Sequence, residues 1–465
     1  MVKERARILV VGGGYVGMYT ALRLQRRLKQ ELRRGEAEIT VVTPDPYMTY
    51  QPFLPEAAAG SISPRHVVVP LRRVLPQCRV IVGEATAIDH AKRTATLTTL
   101  ATAEEGTGTE QLSYDELVLA PGSVSRTLPI PGLADHGIGF KTVEEAIGLR
   151  NHVIEQMDIA SSTRDPAIRD AALTFVFVGG GYAGVEALGE LEDMARYATR
   201  YYHNVRPEDM KWILVEASDR ILPEVGEDMG RYTVTELRRR NIDVRLNTRL
   251  DSCADRIAVL SDGARFPTRT VVWTAGVKPH PILARTDLPL NERGRLKCTP
   301  ELTIEGTTHA WAAGDAAAVP DVTAVPDATA GEPGKECAPN AQHALRQAKV
   351  LGDNIAHALR GEPLETYAHK YAGSVASLGF HKGVAHVYGR KLKGYPAWFM
   401  HRVYHLSRVP TFNRKARVLA EWTLSGLFKR EIVSLGSLEH PRAEFELAAG
   451  GKAPHNPEGN PKGSS

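Results

Sequence analysis

The chain has 465 residues, of which 43% are hydrophobic and 24% charged, a balance that excludes disordered, fibrous and disulfide-rich classes and leaves room for about three domains. Lys and Arg number 58 against 54 Asp and Glu, a net charge of +4, which gives no basis for a nucleic-acid partner. The cysteines, Cys78, Cys253, Cys298 and Cys337, are far apart with no C-x-x-C pair; that argues against a disulfide framework or a zinc site, predicts no metal, and fits a reducing cytoplasm.

The N-terminus, MVKERARILVVGGG, sets charge directly before a strand-like run and carries no signal-peptide pattern. Residues 8–17, ILVVGGGYVG, predict a strand and a glycine turn, followed by a helix over Met18–Leu32 and a second strand over Ile39–Thr43. Next, TATLTTL (94–100) and the polar ATAEEGTGTE (101–110) predict a hairpin, and YDELVLAPGS (114–123) a strand ending in a tight turn at Gly122. Residues 175–184, FVFVGGGYAG, repeat the first pattern, with a helix over Val185–Arg200 and a strand over Trp212–Glu216. VVWTAGV (271–277), with Gly276 in its turn, takes the place that LVLAPGS has after the first copy, and THAWAAGDAAAV (308–319) predicts a strand ending at Gly314 and Asp315. Residues 320–336 read as a loop, 367–445 as a separate C-terminal unit and 450–465 as a disordered tail. The longest uncharged stretches, Ile8–Leu22 and Ala171–Val185, are 15 residues each, short of the ~20 a spanning helix needs.

Strand, glycine turn, helix, strand is the βαβ unit of a parallel sheet. Gly12, Gly14 and Gly17 satisfy G-x-G-x-x-G after the first strand, as do Gly179, Gly181 and Gly184 after the second. The first glycine permits the tight turn, the second lets a pyrophosphate approach the backbone, and the third packs helix on strand. An acid at the end of the second strand binds the adenosine ribose. WILVE supplies Glu216, which favours a free 2′-hydroxyl and so NADH over NADPH. In the first copy the position falls on Thr43, with Asp45 two residues on.

Four motifs in order, VVGGGYVG, YDELVLAPGS, VFVGGGYAGVE and AWAAGD, resemble the flavoproteins with two dinucleotide-binding domains. The resemblance implies FAD at the first glycine turn, NADH at the second, and Asp315 on the flavin ribityl chain, with Gly122, Gly276 and Gly314 in the adjoining turns. MYTALRLQRR lacks the cysteine pair of the disulfide reductases of that superfamily. YMTYQPFLPEAAAGSISPRHVVVPLRRVL (47–75), APNAQHALRQAKVLGDNI (338–355) and YAGSVASLGFHKGVAHVYG (371–389) resemble the type II NADH:quinone oxidoreductases, from which Thr43 marks a divergence. This implies hydride transfer from NADH to FAD and electron transfer to a membrane quinone, without proton pumping. Ala341 and Gln342 then belong to the quinone-site motif, Glu186 lies between the nicotinamide and quinone regions, and Lys382 lies near the flavin. The rivals are a sulfide:quinone oxidoreductase, which needs cysteines flanking the flavin, with only Cys337 plausibly placed, and a slow-turnover sensor or assembly factor resembling the apoptosis-inducing-factor group.

The expected fold is α/β: two Rossmann-like domains, the NAD domain (166–285) inserted in the FAD domain (1–125 and 286–390) after a connecting segment (126–165), plus an α-rich C-terminal extension (391–445) and a tail (446–465). Residues 391–430 hold nine basic residues (Lys391, Lys393, Arg402, Arg408, Arg414, Lys415, Arg417, Lys429, Arg430) against Glu421, interleaved with aromatics that include Trp398 and Phe399. That pattern predicts docking on the cytoplasmic face of the cell membrane, a homodimer interface being the other use of the region. His401 and His405, four apart, read as structural.

Overall fold

The computed structural model describes residues 5–323, 336–369, 373–428 and 432–434. The expected tail and most of the 320–336 loop lie outside these residues. The chain opens with β1 (Ala6–Val11), α1 (Tyr15–Arg27) and β2 (Ala37–Thr43). The helix begins at Tyr15, earlier than the apolar spacing suggests, because Gly14 is its N-cap. After α2 (Leu54–Ala58) come β3 (Arg79–Asp89), β4 (Thr94–Thr99), β5 (Glu110–Ser113) and β6 (Glu116–Leu119). The expected hairpin turn is partly a helical turn, Leu100–Glu104, because Thr99 and Thr102 close a capping box on it.

The expected connecting segment instead builds the second domain. It supplies β7 (Gly137–Gly139) and α3 (Val143–Ser162), whose start is fixed by the Thr142–Glu145 capping box. Then follow β8 (Thr174–Val178), α4 (Tyr182–Ala198), β9 (Lys211–Val215), β10 (Ile242–Arg245) and β11 (Thr270–Trp273). These strands form a parallel sheet in the order β7-β11-β8-β9-β10. The chain enters and leaves this domain through two short strands, Ser123–Ser125 and Val277–Pro279, which pair with each other. The insertion is therefore stitched at one seam.

Back in the first domain, β12 (Ala310–Ala312) completes a seven-stranded sheet ordered β12-β6-β1-β2-β3-β4-β5. Helix α5 (Ala341–Arg360) packs along α1, held by Asp353, which accepts two bonds of 2.8 Å from the Arg23 guanidinium. The C-terminal unit is a three-stranded antiparallel sheet, β13 (Gly373–Ser377), β14 (Gly383–Val387) and β15 (Arg390–Lys393), followed by α6 (Tyr395–Arg408) and α7 (Phe412–Leu427). The expected boundary at 390/391 cuts β15, so this sheet belongs with the C-terminal helices. No helix among the described residues is long and apolar enough to cross a membrane.

Candidate active site

A cavity of about 920 Å³ runs from the first glycine turn to the C-terminal helices, at the roomy end of the roughly 300–1,000 Å³ usual for ligand pockets. Its floor is the turn Gly12–Tyr15. Gly12 has φ +109°, and a Cβ there would lie 2.2 Å from the Ala120 carbonyl oxygen; at Gly17 a Cβ would lie 1.8 Å from the Gly12 oxygen. Both are required by the fold. Gly14 is different: a Cβ there meets nothing within 4 Å, so the glycine keeps space for something outside the protein. Neither Gly14 nor Gly181, the N-caps of α1 and α4, brings a side chain to cap its helix, whereas Thr142, Asn340 and Thr411 cap α3, α5 and α7. The unpaired N–H groups of α1 and α4 are thus left for an anion.

Asp315 enters the cavity beside Ser123, whose hydroxyl donates to it at 2.7 Å. Lys141 donates to the same hydroxyl at 2.8 Å and also to the Ser123 carbonyl. Burial pulls the Lys141 ammonium below its ordinary range, while Asp315 and Glu145 oppose that shift. Thr43 is buried and presses on the glycine turn at Gly13; Asp45 lines the cavity nearby, its carboxyl raised by burial and by Glu144. Gly122, Gly276, Ala341 and Gln342 also line the cavity, and the Gln342 amide donates to the Gly373 carbonyl at 2.7 Å. Glu186 reaches in from α4 with Tyr182 and Ala183. Its Oε1 accepts from the Ser377 N–H at 2.9 Å and sits 3.1 Å from His401 Nε2.

Seven residues of the expected set do not line this cavity: Gly17, Gly314, Lys382, Gly179, Gly181, Gly184 and Glu216. Gly17 and Gly314 pack behind it, against Gly12 and Val16. Lys382 lies in the β13–β14 turn, at the end of the hairpin away from Gly373, where its carbonyl accepts from the Leu378 N–H. Only the Gly373 end of β13 faces the cavity, so Lys382 is not placed to act on a flavin. Gly179, Gly181, Gly184 and Glu216 form a separate cradle at the ends of β8 and β9. There Glu216 accepts from the Gly180 N–H at 2.6 Å and from the Ser218 N–H at 2.8 Å.

Sequence reasoning missed Ser123, Lys141, Tyr50, His401 and His405. Lys141 had a signal: it immediately precedes TVEE, a capping-box pattern that fixes where α3 starts. The others come from segments remote in sequence.

A mixed seven-stranded sheet and a parallel five-stranded sheet, each with an uncapped glycine-turn helix, joined at one seam over one cavity, define an oxidoreductase of the two-dinucleotide class. Residues 6–348 match the pyridine nucleotide-disulphide oxidoreductase family. A type II NADH:quinone oxidoreductase of Staphylococcus aureus is 30% identical over 409 residues, spanning 87% of this chain and 95% of the relative. In fold, the chain is similar to NDH2 from Plasmodium falciparum solved with NADH (TM-score 0.83, 16% identity, 92% of this chain and 100% of that one). It is also similar to the sulfide:quinone oxidoreductase of Aquifex aeolicus (TM-score 0.67, 17% identity, 92% and 96%). The chain belongs to the type II NADH:quinone oxidoreductase family.

FAD and NADH are the cofactors of this family, and the residues fit them. The open space at Gly14 and the uncapped α1 suit the FAD pyrophosphate, and Asp315 with Ser123 faces the cavity beyond it. The Glu216 cradle suits the adenosine ribose of NADH. A carboxylate fixed there should repel a 2′-phosphate, so we expect kcat/KM for NADH to exceed that for NADPH by about a hundredfold, narrowing to about tenfold in Glu216→Gln. Steady-state kinetics with both nucleotides measures this; equal efficiency in the unaltered protein removes Glu216 from the role.

Proposed function

We propose that the protein transfers two electrons from NADH to a quinone, with FAD between them. The observation that carries this reading is one cavity shared by the first glycine turn, Asp315, Glu186 of the second dinucleotide helix and the Ala341–Gln342 helix start. The activity named for the S. aureus relative supports it. FAD bound in that cavity would supply the redox chemistry, hydride acceptance from NADH and electron donation to the quinone. The chain holds the pyrophosphate on α1, sets Asp315 by Ser123 and Lys141, and presents Glu186 and Gln342 to the acceptor end.

The sulfide reading asks for cysteines beside the flavin. None of Cys78, Cys253, Cys298 and Cys337 lines the cavity, and burial pushes the Cys337 thiol up to about 11. NADH oxidation with a short-chain quinone is the test: turnover of many quinones per flavin supports the reading, and one slow turnover favours the sensor.

A quinone acceptor places the protein at a lipid surface, and the C-terminal helices offer one. Phe399 and Val403 on α6, with Phe412, Leu419, Leu424 and Leu427 on α7 and Phe428 just beyond it, are all exposed. Arg408 and Arg417 stand exposed among them. This differs from the expected pattern, since Trp398 and Arg402 are only 7% and 6% exposed. Arg402 lies 4.2 Å and 4.7 Å from the Trp398 and Trp422 ring centres and close to Glu56, and Lys391 is paired with Asp228. Lys429 and Arg430 lie outside the described residues. The apolar face of α7 docks on the inner leaflet, with the arginines answering anionic lipid. Leu424→Asp combined with Leu427→Asp should lower binding to anionic vesicles by about tenfold or more. If that double variant instead turns a dimer into a monomer and leaves vesicle binding unchanged, the face belongs to a second copy.

A further inference from the structure

The reaction leaves one proton unaccounted for. NADH delivers a hydride, two electrons and one proton, whereas a quinone takes two electrons and two protons to become a hydroquinone. The second proton comes from water and has to reach the acceptor end of a buried cavity. We propose that His401 is the proton-holding partner of Glu186, the two forming a buried imidazolium–carboxylate pair that relays this proton to the quinone. The inference rests on the quinone reading above.

The geometry is specific. His401 is 1% exposed, on the inner face of α6. Its Nε2 sits 3.1 Å from Glu186 Oε1, and Glu186 lines the cavity. The groups facing the imidazole are nearly all acidic: Glu186 and Glu190 from α4 and Glu56 from α2. Glu56 is shared with Arg402, β13 contributes Ser377, whose hydroxyl donates to Glu190 at 2.8 Å, and His405 lies one turn along α6 with ring centres 4.5 Å apart. Burial lowers the imidazole's affinity for a proton, but Glu186, helped by Glu56 and Glu190, outweighs burial and holds His401 above its ordinary range. His405 goes the other way: burial and the neighbouring His401 hold it well below that range. Of the two histidines, His401 beside Glu186 is therefore the one that holds a proton more readily. His405 lines the cavity with its Nδ1 3.2 Å from the Tyr50 hydroxyl.

The step balances. The His401 Nε2–H bond breaks as its proton passes to the Glu186 carboxylate, and that proton then leaves Glu186 to form an O–H bond on the quinone oxygen, so Glu186 ends as the carboxylate it began. Neutral His401 then regains a proton from water, and both electrons are those NADH supplied. Because it acts through Glu186, His401 is a positioning residue.

The test is a pH titration of [13C]histidine-labelled holoprotein by NMR, paired with anaerobic stopped-flow using a short-chain quinone. His401 should titrate with a midpoint above the ordinary value of about 6.5. In Glu186→Gln burial is opposed only by the lesser contributions of Glu56 and Glu190, so the midpoint should fall by about one pH unit or more. Flavin reduction by NADH should be unchanged in His401→Gln, while reoxidation by quinone slows about tenfold or more. In the unaltered protein reoxidation should slow as pH rises through the His401 midpoint, and His401→Gln should lose that slope. A His401 midpoint at or below the ordinary value, or the same midpoint with and without the Glu186 carboxylate, overturns the inference whether or not the His401 variant folds. An unaltered flavin that no quinone reoxidises overturns the functional reading beneath it instead.

Discussion

Gly14→Ala is expected to fold and to lose FAD, whereas Gly17→Ala is expected not to fold stably at all. Both glycines belong to one G-x-G-x-x-G pattern, yet the structure gives them different work. At Gly17 a Cβ would sit 1.8 Å from the Gly12 carbonyl oxygen, a backbone atom in a turn whose own φ is +109°. Relief needs α1 to move away from β1, and the core between them is fully buried at Val10, Met18 and Ala21. The cost should exceed about 4 kcal/mol, the range reserved for the most damaging single substitutions. At Gly14 the backbone has φ −74° and no atom lies within 4 Å of the added methyl, so the apoprotein should melt near its unaltered temperature. The methyl occupies the approach of the pyrophosphate to the uncapped helix, and FAD affinity should fall by about a hundredfold, or about 3 kcal/mol. Thermal melts of the apoproteins and the ratio of flavin to protein absorbance read the two effects separately. Stoichiometric FAD in Gly14→Ala would move the pyrophosphate away from α1.

The sequence made this much legible because both dinucleotide turns are local: a strand, three glycines and a helix occupy about twenty consecutive residues, and each constraint acts within them. Ser123 and Lys141 were hidden for the opposite reason. Ser123 meets Asp315 across 192 residues and Lys141 joins them through the Ser123 hydroxyl, and only the seam between the two domains brings them together. Lys382 shows how a resemblance carries too far: the hairpin does reach the cavity, but through Gly373, Ser374 and Val375, while its turn points to α4. Trp398 and Arg402 show a limit of composition. A basic, aromatic stretch is the same string whether its rings face lipid or each other, and here Arg402 is enclosed by the two tryptophans, with Phe399 and Val403 left outside. The contact of His401 with Glu186 was hidden in the same way, since the two lie 215 residues apart and no spacing rule joins them.

Arg240→Leu should destabilise the protein by about 3–5 kcal/mol, as expected when one partner of a buried ion pair is removed and its charge is left behind. Arg240 closes the helix Glu227–Arg239 and is 9% exposed. Its Nε donates to Glu192 at 2.9 Å and its Nη2 to the Gly189 carbonyl at 2.8 Å, while Nη1 donates to the Leu378 carbonyl and Asp193 lies 3.1 Å away. Glu192 is wholly buried and would keep only Arg196. The double variant Glu192→Leu with Arg240→Leu removes both charges, so it should recover much of the loss, and a thermal or denaturant melt of the three proteins measures the coupling. The clamp also bears on the reaction. By holding the Leu378 carbonyl against α4, Arg240 keeps the adjoining Ser377 N–H on Glu186. In the fraction of Arg240→Leu that folds, quinone reduction should therefore suffer more than flavin reduction by NADH, because the acceptor-side carboxylate loses its anchor while the glycine cradles at β1 and β8 are untouched. If the two half-reactions slow equally, Arg240 supports the fold alone and the hairpin does not set Glu186.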